Sequence, residues 1–296
     1  MDTIPKKYQE RSSINCPLCG SFDVGYYATH PKNRHNLHNC RDCGFYFVFP
    51  HRSEFWPREA ERPYTHWREV ENMRIAELIR IQLNRKRPPR LLEIGFGDGH
   101  LTELIRREVD ECWGIEPDQW LFERAMNRLQ LDRDKSFPIR AEELDTYPAF
   151  AAQASAFDAI VMVSVFEHLS NPAAILRSCS RLLRPRGILV VSTPDSKYFR
   201  ELRALRRIAG MEPWGYDHIS FFTEENLEKA FDRHNLVVKE RSYRPLVTPE
   251  SIRFFRELTN SRAISAAMRI FMITGLDRAL RIHTLLYVLQ KGNDDG

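Results

Sequence analysis

Short apolar runs alternate with amphipathic segments over the last two thirds of the chain. Such runs are typical of strands buried on both faces, and the segments between them carry apolar residues at helical spacings of three and four. The pattern predicts an α/β fold built on a seven-stranded, mostly parallel sheet. The predicted strands are 90–94, 112–116, 136–139, 157–163, 188–194, 236–240 and 283–289.

The N-terminal part of the chain follows a different pattern. The aromatic run Phe45–Phe49 predicts a strand that closes a small module. The stretch from 51 to 64 is rich in proline and charged residues, which is typical of a linker. Apolar side chains then return at helical spacing from about residue 65. The pattern therefore predicts a small module at 1–50, a linker at 51–64 and a large domain at 65–296.

Four of the six cysteines lie in the small module, as two CxxC pairs that are each followed by glycine. Cys16 and Cys19 form the first pair, and Cys40 and Cys43 form the second. A CxxC turn directs two thiolates at one point, and four thiolates suit tetrahedral Zn²⁺. A secreted disulfide framework is disfavoured because the chain opens without the apolar stretch of a signal peptide. The spacing predicts a closed zinc site that stabilises the fold and takes no part in catalysis.

Three histidines, His30, His35 and His38, lie between the two cysteine pairs. Imidazoles can also bind zinc, so these residues could in principle join the site. The four cysteines already complete a tetrahedral coordination sphere. We therefore interpret this stretch as a solvated loop that carries three histidines.

A glycine-rich loop follows the first predicted strand of the large domain. The strand contains Glu93, and Gly95, Gly97 and Gly99 come before the next predicted helix. A strand, a glycine turn and a helix in this order form the nucleotide-binding half of an α/β fold. The next strand ends in Glu116, roughly 20 residues further on, where a carboxylate can accept both hydroxyls of a ribose.

Two features distinguish this loop from that of a nicotinamide-dependent enzyme. The dinucleotide fingerprint G-x-G-x-x-G requires a small residue at the position of His100. Glu93 adds an acid before the glycines, giving E-x-G-x-G-x-G, and this acid can organise the site around an ammonium group. The loop therefore favours S-adenosylmethionine, whose amino acid tail lies against such a turn.

With these motifs the chain resembles the class I S-adenosylmethionine-dependent methyltransferases, in particular small-molecule enzymes with an N-terminal zinc knuckle. The resemblance implies a Rossmann-like sheet and S-adenosylmethionine as cosubstrate. It implies that the loop at 140–144 contacts adenine, and Arg140 stands where many relatives have Asp, which leaves this contact to the next two residues. The motifs and the resemblance together indicate the cofactor-binding residues Glu93, Gly95, Phe96, Gly97, Gly99, Glu116, Pro117, Ala141, Glu142, Ser164 and Val165.

Two histidines are candidates for a catalytic base, which a hydroxyl acceptor needs. His218 lies in a segment similar to the histidine-containing loop of these methyltransferases, and His168 follows the fourth strand. The structural alternatives are a His168 ring packed behind the cofactor loop and a His218 ring bonded to backbone at a helix start. Glu167 is either solvated or in contact with an acceptor hydroxyl.

We expect methyl transfer to a small-molecule or glycan acceptor, with a hydroxyl oxygen as the target. Segments at about 195–222 and 245–282 are expected to cover the acceptor, and the apolar residues of the second could line a pocket or lie on a membrane surface. Three alternatives stay open. They are an RNA base methyltransferase that binds RNA through the zinc module, a sugar C-methyltransferase, and a non-catalytic zinc-ribbon interaction protein.

Composition and charge change this picture little. The chain has 44 basic and 40 acidic residues, and a net charge of +4 supports neither a nucleic acid nor a membrane partner by itself. No apolar run approaches the roughly 20 residues that span a bilayer. We therefore expect a cytoplasmic protein whose partner is its small acceptor, and the oligomeric state is left open.

Overall fold

The computed structural model describes residues 14–29, 35–50, 66–83, 89–197, 218–245 and 283–292, together with a few helical residues between 266 and 274. In chain order its strands are β1 (Val24–Thr29), β2 (Asn36–Cys40), β3 (Tyr46–Val48), β4 (Arg90–Ile94), β5 (Glu111–Ile115), β6 (Ser136–Phe137), β7 (Phe157–Val163), β8 (Leu183–Pro194), β9 (Ser220–Phe221), β10 (Leu236–Pro245) and β11 (His283–Lys291). The main helices are α1 (His66–Gln82), α2 (His100–Ile105), α3 (Gln119–Leu129), α4 (Pro148–Ala151), α5 (Pro172–Leu182) and α6 (Glu224–Arg233).

A seven-stranded sheet forms the centre of the described structure, in the order β10-β11-β8-β7-β4-β5-β6. The neighbours from β8 to β6 are parallel, whereas β11 runs antiparallel to both β8 and β10. The predicted seven-stranded, mostly parallel α/β sheet is confirmed. Its parallel strands end at one edge, and the loops that leave this edge carry the predicted site residues.

Both faces of the sheet are covered, which explains the near-continuous apolar runs. Consecutive strand residues point to opposite faces, so Leu91 packs with α1 and α2, while Leu92 packs in the larger cluster that includes α5 and α6. Both side chains are fully buried. The larger cluster also contains buried residues of the cysteine-bearing segment, so the core is continuous from this segment to the central sheet.

The cysteine-bearing segment forms a second sheet, in the order β1-β2-β3-β9. Its last strand comes from far along the chain, because Tyr46 and Phe47 of β3 pair with Phe221 and Ser220 of β9. We call residues 14–50 the cysteine module, and β9 is not part of it. Strand β9 therefore joins the cysteine module to the chain that leads into α6.

The interpretation of His38 as part of a solvated loop is wrong. His38 lies on β2, is 9% exposed, and stacks on Phe47 with ring centroids 5.9 Å apart. A ring nitrogen, Nε2, lies 3.1 Å from the carbonyl oxygen of Phe49. The ring is surrounded by those of Tyr26 on β1, Phe47 on β3 and Phe49 just after β3. His35 is half-buried just before β2, and His30 lies outside the described residues.

Much of the predicted acceptor cover lies outside the described residues. Of the first segment the structure describes 195–197 and 218–222, and of the second only its first residue and a few helical positions. Among the helices that are described, none combines the length and the apolar character needed to cross a bilayer.

Candidate active site and metal centre

Three of the predicted cofactor segments meet at the carboxyl edge of the parallel strands. β4 pairs with β5 on one side and with β7 on the other, so the loops that follow these strands are neighbours. The Gly97 amide donates a hydrogen bond of 2.8 Å to Oε2 of Glu116, which follows β5. A Cβ built on Gly95 would lie 2.4 Å from Cγ2 of Val165, which follows β7. The structure thus brings Gly95, Gly97, Glu116 and Val165 together.

The three glycines of the loop all have positive φ, but they face different surroundings. Gly95 at +75° packs against Val165, and at Gly99, with φ +83°, a Cβ would meet Leu129 of α3 at 2.7 Å. Gly97 at +56° faces open space, because a Cβ there meets nothing within 4 Å. A bare backbone beside open space is what the tail of S-adenosylmethionine requires, so the loop fits this cosubstrate.

Two carboxylates beside the loop are buried. Glu93 is 4% exposed and accepts a hydrogen bond of 2.6 Å from the hydroxyl of Thr102, while burial raises its pKa to about 8. Glu116 accepts amide hydrogen bonds from Gly97 and Asp118, and burial raises its pKa to about 7 despite these bonds. A ligand with an ammonium group and ribose hydroxyls would stabilise both ionised forms. Sequence reasoning did not identify Thr102, since a hydroxyl within a helix carries no distinctive motif.

The raised pKa of Glu93 predicts that the ligand-free protein becomes less stable as the pH rises. The unfolded chain releases this proton near the ordinary pKa of 4.5, whereas the folded protein keeps it to about 8. Between these values the unfolded chain binds fewer protons, so the free energy of unfolding falls. Glu93→Gln removes this loss. Relative to the wild type, the variant should gain on the order of 4 kcal/mol of stability as the pH rises from ~5 to ~8.5.

Urea denaturation at several pH values measures this difference. Glu225→Gln is the matched control, because Glu225 lies exposed on α6 and its hydrogen bond with Lys229 lowers its pKa. The control curve should follow the wild type over the same range. Parallel pH dependences for wild type and Glu93→Gln would contradict the assignment.

The other predicted cofactor residues have different exposures. Phe96 is 4% exposed and packs on Phe122 of α3, so its backbone is the part that can reach a ligand. Pro117 is exposed. Ala141 is buried in a short 3₁₀ turn, and the carboxylate of Glu142 accepts hydrogen bonds from the amide and hydroxyl of Ser170. This last contact ties the predicted adenine loop to the segment after β7.

The segment after β7 carries a group of ionisable side chains that we call the histidine cluster: Glu167, His168 and His218. Ser164 opens this segment with φ +54°, an unusual value for a residue with a side chain, and a 3₁₀ turn over Phe166–His168 follows. The ring centroids of the two histidines lie 5.1 Å apart at an interplanar angle of 75°. One ligand atom from each member of the cluster lies within 4.8 Å of the others.

Glu167 is the buried member of this cluster. It is 2% exposed and accepts a hydrogen bond of 3.0 Å from the hydroxyl of Thr193 near the end of β8. The interpretation of Glu167 as a solvated side chain is therefore wrong. Both histidines are half-buried. A buried carboxylate beside two imidazoles forms a group that can accept a proton from a bound acceptor. Thr193 was not identified from the sequence, because its role depends on β8 lying beside β7.

The four module cysteines form a second group, within reach of one metal ion. Sγ of Cys16 lies 3.7 Å from Sγ of Cys43, and Sγ of Cys19 lies 3.6 Å from Sγ of Cys40. Tetrahedral Zn²⁺ with bonds of about 2.3 Å places sulfurs about 3.8 Å apart, whereas a disulfide requires about 2.05 Å. Burial raises the pKa of Cys19, and contact with Cys16 together with burial raises that of Cys43, so a cation is needed to hold these thiolates. The donor set therefore fits zinc.

Comparison with known proteins identifies the domain. Residues 64–240, more than half of the chain, match the family model described as a methyltransferase domain. The chain belongs to this methyltransferase family. The expectation of an S-adenosylmethionine-dependent methyltransferase is thus confirmed at the level of the family.

The methyltransferase is similar to enzymes whose names state an O-methylation. Over 160 residues it is 27% identical to the ubiquinone biosynthesis O-methyltransferase of Psychrobacter arcticus, which covers 50% of this chain and 61% of that protein. Over 120 residues it is 33% identical to the enzyme of the same name from Xylella fastidiosa, covering 39% and 47%. The match thus spans only about half to three fifths of these curated relatives.

Solved structures show the same fold at lower identity. A cyclopropane synthase from Mycobacterium tuberculosis superposes with a TM-score of 0.54 at 17% identity, over 78% of this chain and 87% of that one. This likeness concerns the fold alone. The reaction has to be argued from the site itself.

Proposed function

We propose that this protein transfers the methyl group of S-adenosylmethionine to a hydroxyl oxygen of a small-molecule or glycan acceptor. The observation that carries the proposal is the histidine cluster, in which the buried Glu167 carboxylate lies beside the two imidazoles. Glu167 comes two residues after Val165, which packs on Gly95. The names of the relatives, which are O-methyltransferases, support oxygen as the target.

The residues beside the glycine loop have the task of holding the cosubstrate. Glu116 would accept the ribose hydroxyls, the open backbone at Gly97 would receive the amino acid tail, and Glu93 would organise the site around the ammonium group. Ala141 and Glu142 would border the adenine. Buried groups of this kind orient the reactants and exclude water, which supplies much of the rate in a direct displacement.

The histidine cluster has the task of moving a proton. S-adenosylmethionine supplies a methyl group that already carries its leaving group, whereas a neutral hydroxyl is a poor nucleophile. A ring nitrogen of His218 would accept the hydroxyl proton while the oxygen bonds to the methyl carbon and the bond from that carbon to sulfur breaks, which leaves S-adenosylhomocysteine. The nearby Glu167 carboxylate would stabilise the imidazolium that results.

The experiment that tests this function follows a labelled methyl group into its product. The protein is incubated with ¹³C-methyl S-adenosylmethionine and separate panels of phenols, sugar nucleotides and RNA. Products are identified by mass spectrometry and carbon NMR. We expect an O-methyl signal from one of the first two panels. A methyl group on carbon would support the sugar C-methyltransferase instead, and salt-dependent transfer to RNA alone would support the RNA enzyme.

We also propose that Cys16, Cys19, Cys40 and Cys43 bind one structural Zn²⁺. Metal analysis of the purified protein should give one zinc per chain. Cys19→Ser removes a thiolate ligand, so it should weaken zinc binding by more than the ~10- to 100-fold typical of an outer-shell change. Cys112→Ser is the control, because Cys112 lies on β5 outside the cysteine module. Equal zinc content in both variants would contradict the site.

A further inference from the structure

One residue joins the cysteine module to the histidine cluster through its backbone. Ile219 directly follows His218, and its amide donates a hydrogen bond of 3.0 Å to the carbonyl oxygen of Glu167. Its carbonyl oxygen accepts a hydrogen bond of 2.8 Å from the amide of Val48, at the end of β3. The peptide groups next to His218 are therefore held between β3 and the segment that carries Glu167 and His168.

A stack of buried aromatic rings makes a second connection. Phe222 is fully buried, with its ring centroid 4.7 Å from that of Phe166 and 5.0 Å from that of Phe45. Phe166 comes directly before Glu167, and Phe45 is the second residue after Cys43. The stack thus links the second CxxC turn to the histidine cluster through side chains that cannot move independently in a close-packed core.

The first CxxC turn and β9 add two further contacts. The carbonyl oxygen of Pro17, next to Cys16, accepts a hydrogen bond of 3.3 Å from the amide of Ala173 in the first turn of α5. The hydroxyl of Ser220 on β9 donates a hydrogen bond of 2.7 Å to the carbonyl oxygen of Leu169. Both cysteine turns are therefore connected to the chain on either side of the cluster.

From these contacts we infer that the cysteine module is a positioning element of the histidine cluster, and that metal at its four cysteines sets the placement of His218. The inference rests on the proposed function, since it concerns the residue that we propose as the base. The residues that carry it are Val48 and Phe45 in the module, with Ile219 and Phe222 beside His218. They act on the cluster through their contacts with Glu167 and Phe166, so they are positioning residues.

The physical reason is that a module of this size can enclose only a small core of its own. Segments of this size often require a bound metal to fold, and metal-binding free energy then becomes folding free energy. Loss of the metal would loosen β3, and with it the β9 pairing and the Phe45 side of the stack. A displacement of a catalytic group by about 1 Å can lower a rate by about 100-fold.

Histidine-selective NMR on the 296-residue chain tests this without any acceptor. The ring signals of His168 and His218 are assigned with His→Gln variants and compared in the zinc-loaded, chelator-treated and zinc-restored protein. We expect both signals to shift or broaden on chelation and to return with zinc. The affinity for S-adenosylhomocysteine, measured by calorimetry, should change by less than about twofold.

Phe222→Leu provides an independent test of the ring stack, with Phe22→Leu as its matched control. Phe22 lies in the cysteine module, where it is 74% exposed and outside the ring stack. Phe222→Leu should alter both histidine signals while zinc content and S-adenosylhomocysteine affinity are kept, and Phe22→Leu should change none of the three.

Two results would overturn the inference. Histidine signals that stay the same in the metal-free protein and in Phe222→Leu would show that the module does not position the cluster. Loss of S-adenosylhomocysteine binding together with the histidine signals would show that the module supports the whole fold instead. Neither result depends on which atom is methylated, so failure of the O-methylation proposal would be seen separately, in the labelled-product experiment.

Discussion

Replacing His218 with glutamine is expected to lower kcat for acceptor methylation by about 100- to 10,000-fold, the usual contribution of a general base. Glutamine keeps a similar shape but cannot take the hydroxyl proton. The Kd for S-adenosylmethionine should stay close to that of the wild type, because His218 lies outside the glycine loop. Steady-state kinetics with the acceptor found by methyl transfer, together with calorimetry for the cosubstrate, measure the two effects.

Two further histidine variants make this prediction specific. His168→Gln should lower kcat less than His218→Gln, and the reverse order would make His168 the base. His234→Gln is the matched control, because His234 is a half-buried residue at the C-terminal end of α6. It should leave kcat unchanged. An unchanged kcat in His218→Gln would show that His218 is not the base.

Alanine substitutions at Gly95 and Gly97 are expected to affect different properties. The first should mainly lower the free energy of unfolding, and the second should mainly lower the affinity for the cosubstrate. Gly95→Ala adds a methyl group 2.4 Å from Val165 at φ +75°, so left-handed strain and overpacking together should cost about 3 kcal/mol of stability. Gly97→Ala meets no protein atom within 4 Å, so it should cost only about 1 kcal/mol of strain. Its methyl group instead occupies the space proposed for the cosubstrate tail, and affinity for S-adenosylmethionine should fall more than about tenfold.

Urea denaturation and calorimetry on both variants separate these effects. Gly20→Ala is the control, because Gly20 has φ +79° with nothing within 4 Å and lies in the cysteine module. It should show the strain alone, with unchanged cosubstrate affinity. Unchanged affinity in Gly97→Ala as well would contradict the placement of the cosubstrate against this loop.

Features that depend on residues close together in the sequence could be predicted from it. The apolar runs predicted the central strands, because strands covered on both faces must be apolar throughout. The glycines of the loop after β4 were recognisable because close approach and positive φ exclude most other residues. The two CxxC pairs indicated a metal centre, since each turn needs only four residues to direct two sulfurs at one point.

Features that depend on distant residues could not be predicted in the same way. His38 looks solvated in the sequence because Asn36–Cys40 shows little strand character, whereas aromatic rings from β1 and from β3 and its end surround it in the structure. Glu167 is buried and hydrogen-bonded to Thr193 of β8, and no local sequence pattern indicates that contact.

The strands, the glycine loop and the two CxxC turns could be predicted because each is encoded within a few consecutive residues. The contact between His168 and His218, and the place of β9 in the sheet of the cysteine module, depend on how distant segments pack. Those contacts form when Phe222 is buried between Phe45 and Phe166. The free energy of that burial depends on three segments far apart in the chain, and the sequence of one segment does not indicate which other two it packs against.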